Sequence, residues 1–410
     1  MVQVINFEDI LAARDRIKSS IVVSPCPLSI PLSEITGMQV YCKLEYLQRT
    51  GSFKERGASN ALQLLTPAQQ KRGVIAASAG NHALGLAYHG KLLGVPIVVV
   101  MPKNAPLTKL SNCEKLGAEV ILHGNSLDEA KEFAEKICAE RQLTYINGYD
   151  DPAIIAGQGS IGLEILEQVP EVHAVIIPIG GGGLVAGMVM AIKKLKPAVQ
   201  IIGVEPANCA SYTAARKAGK PVRVENKPTL ADGLAVPKIG ENAFAIARQY
   251  VDDVVTVDEH QIALAILKLA ELEKSVVEGA GAAGLAACLN HSFPQLAGRN
   301  VILPLTGGNI DINILGRVLE RGLASDGRLC RFSAVISDRP GGLARFAGII
   351  ADEGACVMDI VHDRAFASDN INLVTVHCVV ETRDAKHIEA LKERFEREGF
   401  QTLFPDLGDK

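Results

Sequence analysis

The chain has 410 residues, of which 48% are hydrophobic, with 38 glycines, no tryptophan and a formal net charge of -4. A chain of this length is expected to hold two or three domains with a well-buried core. The small negative charge gives no electrostatic reason to expect nucleic acid or an anionic membrane as a partner. The longest apolar runs have the length of strands and are too short to span a bilayer.

The N-terminal residues show no basic stretch followed by an apolar one, so no signal peptide is expected. The nine cysteines are dispersed between Cys26 and Cys378 without a C-x-x-C pair. Such an odd, scattered set predicts reduced thiols in a cytoplasmic protein and no metal site.

From about residue 70 to 325 the sequence alternates between strand and helix signals. A helix is expected from about residue 83 to Gly94, followed by a continuous β-branched strand at 95–100. Ser126 and Glu129 predict a capping box at the start of the next helix. Further buried strands are expected at 174–179, 200–204 and 301–305. This alternation predicts a largely parallel, doubly wound α/β arrangement, which binds ligands at the carboxyl ends of its strands.

The last eighty residues follow another order. Strands are expected at 332–337, 356–365, 370–382 and 400–404, with a helix after the first strand and another after the third. The order β-α-β-β-α-β is typical of a ferredoxin-like domain. A linker before it is expected at 321–328, which is rich in small and polar residues.

A lysine lies in a turn of small residues just ahead of a helix, in the segment Gly51-Ser52-Phe53-Lys54-Glu55-Arg56-Gly57-Ala58. Desolvation lowers the pKa of a lysine and makes its amine available as a nucleophile. Gly51 and Gly57 allow the backbone to close around a cofactor, and Phe53 offers an apolar surface. Taken alone, Lys54 would more often be a surface residue, so its assignment depends on the motifs that follow.

Five residues, Ser78, Ala79, Gly80, Asn81 and His82, separate an apparent strand at 73–77 from the next helix. Free N–H groups at a helix start, together with the Asn81 amide, make a pocket for a carboxylate. The alternative is an ordinary helix cap by Ser78 or Asn81. His82 fits a structural hydrogen bond better than the role of a base.

Four consecutive glycines follow the strand at 174–179, namely Gly180, Gly181, Gly182 and Gly183. They expose backbone donors to a phosphate at the start of a helix, whose dipole adds a favourable field. An alternative is a dinucleotide fingerprint made by Gly181, Gly183 and Ala186 with the acidic Glu205, which would indicate a dehydrogenase. That alternative gives no reason for the Lys54 and 78–82 segments.

The segment Thr306-Gly307-Gly308-Asn309 follows the strand expected at 301–305. A Thr306 hydroxyl can bond a pyridine nitrogen without protonating it, which favours loss of a β leaving group over transamination; the alternative is a simple turn. An amine, a carboxylate pocket and a phosphate cradle at strand-to-helix junctions suit a phosphorylated carbonyl cofactor. We therefore predict pyridoxal 5'-phosphate held as an imine on Lys54.

Taken together, the motifs resemble the threonine dehydratase (threonine ammonia-lyase) group of fold-type II pyridoxal-phosphate enzymes, over about residues 5–322. The lysine segment, 78–82, the tetraglycine, 157–162, 231–236 and 306–309 carry the resemblance. It implies that Lys54 is the Schiff-base lysine and that Phe53 packs on the cofactor ring. The other implied cofactor contacts are Asn81 with the ring hydroxyl, Thr306 with the ring nitrogen, and Gly180, Gly181, Gly182, Gly183 and Leu184 with the phosphate. The implied substrate contacts are Ser78, Ala79, Gly80, Asn81, His82 and Gly233.

The resemblance also implies two domains. The catalytic one would cover 1–325, two doubly wound α/β subdomains with the smaller at roughly 50–150. The tail at 330–405 resembles an ACT domain, whose familiar first turn is 338–343. Such a tail implies feedback by an amino-acid effector, isoleucine or valine as in isoleucine biosynthesis, and a homo-oligomer, a dimer or a tetramer.

Two departures from the family pattern narrow the expected activity. Related serine racemases carry a serine at Ala79, and alanine cannot exchange a proton. Ser211 stands where an aspartate of metal-binding relatives is expected, so no metal is predicted beside Glu205. The resemblance thus implies conversion of L-threonine to 2-oxobutanoate and ammonia, with L-serine as a slower substrate giving pyruvate. The alternatives are a serine racemase or hydroxyaspartate ammonia-lyase on the same scaffold, a dehydrogenase, or a non-catalytic amino-acid sensor.

Overall fold

The structure is a computed structural model that describes residues 5–291, 293–363 and 371–404. It separates into two compact units, Met1–Ile312 and Asn313–Lys410. In the described ranges, no helix combines the length and the apolar character that crossing a membrane requires.

The first unit contains two sheets. In chain order, its strands are β1 (Leu28–Ser29), β2 (Gln39–Lys43), β3 (Val74–Ala77), β4 (Ile97–Met101), β5 (Glu119–Leu122), β6 (Thr144–Tyr145), β7 (Ala174–Pro178), β8 (Gln200–Pro206), β9 (Asp253–Val257) and β10 (Asn300–Pro304). The larger sheet has the order β1-β2-β10-β7-β8-β9 and is parallel except for the β1–β2 pair. The smaller sheet, β5-β4-β3-β6, is parallel throughout.

Helices cover these sheets. They are α1 (Phe7–Ile17), α2 (Ile30–Thr36), α3 (Lys54–Gln63), α4 (Pro67–Arg72), α5 (Asn81–Leu93), α6 (Leu107–Lys115), α7 (Leu127–Arg141), α8 (Pro152–Gln168), α9 (Gly183–Leu195), α10 (Ser211–Ala218), α11 (Glu241–Tyr250), α12 (Glu259–Leu272) and α13 (Gly279–Asn290). Every residue of β4 and β7 is buried, because the strands are covered on both faces. The two sheets have separate hydrophobic cores, one around α8, α9 and β7 and another around α3, α5 and β4.

Glycine lies where α3 and α1 contact α8. A Cβ added to Gly157 of α8 would come within 2.7 Å of the Arg56 carbonyl oxygen, and one added to Gly159 would meet Ile10 at 2.8 Å. The small residues of the 157–162 motif therefore let α3, which begins with Lys54, approach α8 closely.

The second unit has a sheet with the order β12-β13-β11-β14, antiparallel throughout. Its elements are α14 (Ile312–Ser325), β11 (Leu329–Ser337), α15 (Gly342–Asp352), β12 (Cys356–Asp363), β13 (Leu373–Glu381), α16 (Ala385–Arg397) and β14 (Gln401–Leu403). After α14, the order β-α-β-β-α-β encloses its own core, in which Phe332, Phe346 and Phe395 pack together. This is the ferredoxin-like arrangement expected from the sequence.

Three local predictions differ from the structure. The linker expected at 321–328 is helical up to Ser325, since α14 continues through it, and the two units divide at Ile312 instead of at 325–330. Helix α5 begins at Asn81, two residues before the predicted start. Ser126 caps α7, but Glu129 accepts the N–H of Asn125 and not that of Ser126, so the capping box is incomplete. The predicted strand residues 364, 365 and 370 lie outside the described ranges.

Candidate active site

Lys54 is the first residue of α3 and points into a cavity of about 830 Å³. Its Nζ donates a hydrogen bond to the Gly148 carbonyl oxygen at 2.7 Å and lies 5.1 Å from the centroid of the Phe53 ring. Burial lowers the pKa of the Lys54 ammonium to about 8, against an opposing effect of the Glu278 carboxylate. With this pKa, an appreciable fraction of the Lys54 amine is neutral and available as a nucleophile near physiological pH.

The cavity brings together all the site residues predicted from the sequence. They are Phe53, Lys54, Ser78, Ala79, Gly80, Asn81, His82, Gly180, Gly181, Gly182, Gly183, Leu184, Gly233 and Thr306. They follow strands of both sheets of the first unit, and the cavity volume lies in the range of about 300–1,000 Å³ that small-molecule sites occupy. The structure shows that these residues lie together around one cavity. The role of each residue remains a prediction.

Residues 78–82 join β3 to α5. The first N–H groups of α5, from Asn81 onwards, have no acceptor within the helix and are available to an anion. His82 is buried, and its Nε2 lies 3.2 Å from the Ile146 carbonyl oxygen. Burial, helped by the charge of Lys54, lowers the pKa of His82 to about 3, so its ring is neutral. The segment thus offers neutral and backbone donors beside Lys54.

The tetraglycine segment joins β7 to α9. Gly182 has a φ of +93°, in the left-handed region that favours glycine. A Cβ on Gly181 would collide with the Tyr149 ring, and one on Gly183 with the Tyr149 backbone. The glycines therefore allow a close approach of Tyr149 as well as exposing N–H groups at the start of α9, where a phosphate is favoured.

Thr306 follows β10, and its backbone ties two loops together. Its carbonyl oxygen accepts the N–H of Phe53 at 3.0 Å, and the Gly308 N–H donates to Gly51 at 2.9 Å. Asn309 donates from Nδ2 to the Thr50 carbonyl oxygen at 2.7 Å and to Asn81 Oδ1 at 2.8 Å. The lysine turn and the strand-end turn are thereby locked to one another.

Sequence reasoning missed a buried acidic residue of the cavity, Glu278. Glu278, which precedes α13, is 6% exposed, and its Oε1 accepts a hydrogen bond of 2.7 Å from Asn81 Nδ2. Burial, together with the charge of Asp232, raises the pKa of Glu278 to about 7, against the opposing effect of the Asn81 hydrogen bond. The only available signal was an acidic residue opening a helix in which glycine and alanine predominate.

Behind Lys54, α3 is fixed by a buried network of ion pairs. Arg56 pairs with Glu45 at 2.7 Å and with Glu164 at 2.6 Å, and Lys43 pairs with Glu164 at 2.6 Å. Burial lowers the pKa of Arg56, but the two carboxylates more than offset this and hold it above its usual range. These contacts hold the first turns of α3, and with them Lys54, against α8.

Glu205, the acidic residue of the dehydrogenase alternative, is buried away from the cavity lining. Its carboxylate accepts hydrogen bonds from the N–H groups of Tyr212 and Thr213 and from the Thr213 hydroxyl. A ribose bound at the glycine loop would find this carboxylate already engaged, which removes the feature that favoured a dinucleotide.

The residues present fit pyridoxal 5'-phosphate. Lys54 supplies an amine for the aldehyde, the start of α9 supplies donors for the phosphate, and Thr306 supplies a hydroxyl at a strand end. The combination defines an enzyme that uses this cofactor.

Comparison with known proteins leads to the same class of enzyme. Residues 18–307 match the family described as "Pyridoxal-phosphate dependent enzyme", and the chain belongs to this family. Pyridoxal 5'-phosphate is its cofactor, and the expected fold-type II architecture is confirmed.

Three similar proteins illustrate the range of the family. An L-threonine ammonia-lyase of Thermotoga maritima is 44% identical over 97% of this chain and 98% of its own length. The processed form of threonine deaminase isoform 2 of Solanum lycopersicum is 38% identical, with a TM-score of 0.74 over 77% of this chain and 86% of that structure. The structure of maize serine racemase is 32% identical, with a TM-score of 0.74 over 78% of this chain and 99% of that structure.

Proposed function

We propose that this chain converts L-threonine to 2-oxobutanoate and ammonia by β-elimination, and L-serine more slowly to pyruvate and ammonia. The observation that carries the proposal is a lysine with a lowered pKa in one cavity with a glycine loop, helix-start amides and a strand-end hydroxyl. The Thermotoga maritima relative, named for this activity and similar along both units, supports the choice of substrate.

Pyridoxal 5'-phosphate, when bound, supplies the electron sink that makes the α-proton of an amino acid acidic. Lys54 holds the cofactor covalently, and its amine, once free, takes the α-proton; a pKa of about 8 suits this work near neutral pH. The amides of 78–82 hold the substrate carboxylate, assisted by Gly233 on the facing loop. His82, whose pKa is lowered to about 3 by burial, is too weak a base to compete with Lys54 for the same proton.

The remaining residues orient the cofactor. The backbone of 180–184 would hold its phosphate at the start of α9, and Phe53 would pack against its ring. Asn81 would donate to the ring hydroxyl, and the Thr306 hydroxyl would donate to the ring nitrogen and leave it unprotonated. An unprotonated ring favours departure of the β-hydroxyl over reprotonation at the α-carbon.

The assay that tests this proposal follows 2-oxobutanoate formed from L-threonine by the purified full-length protein, with L-serine and D-serine as comparison substrates. We expect L-threonine to have the highest kcat/KM. A protein that binds its cofactor but releases no 2-oxo acid from either L-amino acid would contradict the proposal.

A serine racemase is the second candidate, because the maize enzyme of that name shares the fold. Ala79 lines the cavity and carries no group that can exchange a proton, which favours elimination. In Ala79→Ser we expect deuterium incorporation into recovered serine, absent from the parent and from the control Ala245→Ser outside the cavity. Rapid exchange in the parent would instead support the racemase.

For the second unit we propose an ACT-like regulatory role, with isoleucine or valine as the effector. Its complete ferredoxin-like order and separate core support an independent domain, and the cavity that holds the predicted cofactor residues is lined by the first unit alone. The Thermotoga maritima relative also extends along this unit.

Regulation is tested by threonine saturation curves of the full-length protein and of a chain ending at Gly327, each with and without isoleucine or valine. We expect the full-length curve to shift by about 5- to 150-fold in apparent affinity, the usual size of allosteric coupling, and the short chain to stay active and unresponsive. An equal response of both chains would contradict the role of the second unit.

We also propose a cytoplasmic homo-oligomer, a dimer or a tetramer. The nine cysteines are unpaired, which suits a reducing compartment. The edge strand β12 exposes Val357, Met358 and Val361, and an apolar edge of this kind is a pairing site. Light scattering of the parent and of Met358→Lys would show whether the mass falls when this edge is charged.

A further inference from the structure

The Asn81 side chain is held from two sides. Its Oδ1 accepts from Asn309 Nδ2 at 2.8 Å, and its Nδ2 donates to Glu278 Oε1 at 2.7 Å. Because an Asn309 amide can only donate from Nδ2 and a carboxylate can only accept, the two contacts fix which end of the Asn81 amide faces which neighbour. One Asn81 N–H is left for a further acceptor in the cavity.

Glu278 occupies an unusual place for a residue that opens a helix. It is the N-cap of α13, yet its side chain makes no capping hydrogen bond to that helix. Its backbone N–H donates to the Gly307 carbonyl oxygen at 3.0 Å, and a Cβ added to Gly307 would collide with its carboxylate. The carboxyl group is thus turned from its own helix and packed against the Thr306 turn, towards Asn81.

The charged groups around Glu278 come from three elements. Asp232 and Lys109, paired at 2.8 Å, act on it from the loop before α11 and from α6. Lys54 of α3 interacts with it electrostatically across the cavity, since the Glu278 charge acts to raise the Lys54 pKa. The backbone N–H of Asn309 also donates to it. With its pKa raised to about 7, mainly by burial, the carboxyl changes charge within the physiological range.

We propose that Glu278 is a positioning residue of the active site, which acts on the bound cofactor through the Asn81 amide and on Lys54 through its charge. Ionised, it holds the Asn81 donor in place and adds a negative charge beside the lysine; protonated, it loses that charge. The proposal rests on the cofactor and the cavity, and it holds whichever amino acid is the substrate.

The test uses the full-length holoenzyme without substrate. Absorbance and circular dichroism of the bound cofactor are recorded from pH 6 to 9, and its release is followed by equilibrium dialysis, for Glu278→Gln, Glu278→Ala, Asn81→Ala and the double variant Asn81→Ala/Glu278→Ala. Glu273→Gln is the matched control, since the Glu273 carboxylate is bonded to Ser29 at 2.5 Å outside the cavity.

We expect Glu278→Gln to keep cofactor affinity within about threefold, because its amide oxygen still accepts from Asn81, but to lose the spectral transition near pH 7 that the parent and Glu273→Gln show. Glu278→Ala and Asn81→Ala should each weaken cofactor affinity about tenfold or more, and the double variant should be no weaker than the worse single one, since both changes break one contact. Additive losses, or a Glu278→Gln transition identical to that of the parent, would overturn the proposal.

The test of Glu278 does not depend on which amino acid is the substrate. If the parent shows the spectral transition but does not deaminate L-threonine, the role of Glu278 stands and the proposed reaction is wrong. If Glu278→Ala does not fold, Glu278→Gln, which keeps the shape and the acceptor, decides the outcome alone.

Discussion

Arg56 and Lys54 are cationic residues two positions apart on α3, but their surroundings shift their pKa values in opposite directions. Arg56 is fully buried and surrounded by carboxylates, with Glu45 and Glu164 in direct contact. Lys54 lies at the cavity with one carbonyl oxygen as its hydrogen-bond acceptor. The pKa of Arg56 is held above its usual range, and that of Lys54 is lowered to about 8.

The difference shows how one helix turn can serve both stability and chemistry. A guanidinium with two carboxylates keeps its charge at every accessible pH and anchors the helix. An amine without a carboxylate in contact can lose its proton and become a nucleophile. The ion pairs of Arg56 fix the first turns of α3, so that Lys54 keeps its place at the cavity without a carboxylate of its own.

The largest effect on stability is expected when Arg56, which holds α3 through its ion pairs, is removed. Arg56→Ala leaves the Glu45 and Glu164 carboxylates buried with fewer partners, and removal of one member of a buried ion network typically costs about 3–5 kcal/mol. Denaturant unfolding of the parent and the variant measures the loss, and Lys54→Ala is the matched control, expected within about 1 kcal/mol of the parent. Equal stability of Arg56→Ala and the parent would show that the network does not hold α3.

A smaller, pH-dependent effect on the free energy of unfolding is expected when Glu278 is replaced. Its folded-state pKa is raised from 4.5 to about 7, so its contribution to stability is fully present below about pH 4.5 and is lost as the pH rises to 7. Glu278→Gln has no proton to lose, and should exceed the parent by up to about 3 kcal/mol at pH 8 but by little at pH 5. Unfolding curves at the two pH values measure this; a difference that does not depend on pH would contradict the raised pKa.

The smallest effects are expected at Thr306. In Thr306→Asp the carboxylate would stabilise a protonated ring nitrogen, and we expect threonine deamination to fall at least tenfold, about 1.4 kcal/mol in activation free energy, while the cofactor stays bound. Thr306→Ser keeps the hydroxyl and should stay within about twofold of the parent. Steady-state kinetics with a cofactor absorbance check decide this, and a fully active Thr306→Asp would place the hydroxyl elsewhere.

Much of the fold could be predicted because its signals are local. The β-branched run of β4 and the glycine that ends α5 in the left-handed conformation at Gly94 identify their elements without tertiary information. The ferredoxin-like order of the second unit was equally readable from its strands and helices. The predicted site residues follow strand ends, and parallel strands carry such residues to the same edge of a sheet.

The parts that escaped prediction depend on contacts between distant segments. Glu278 is separated by 197 positions from Asn81, its hydrogen-bond partner, and its place before a glycine- and alanine-rich helix does not by itself mark it as a cavity residue. Arg56, Glu45 and Glu164 look like ordinary surface charges until the fold buries them together. The glycines of 157–162 were matched to a family pattern, but their reason, the close approach of α3 to α8, is visible only in the packing.

The central claim is that Lys54 is the residue that carries the cofactor. Borohydride reduction of the purified protein, followed by digestion and mass spectrometry, should place the cofactor mass on the Lys54 peptide and leave the buried Lys43, held by Glu164, unmodified. Lys54→Ala should show neither the modified peptide nor the absorbance of the covalently held cofactor. A modification found on another lysine, or a Lys54→Ala protein with the parental absorbance and activity, would contradict the account.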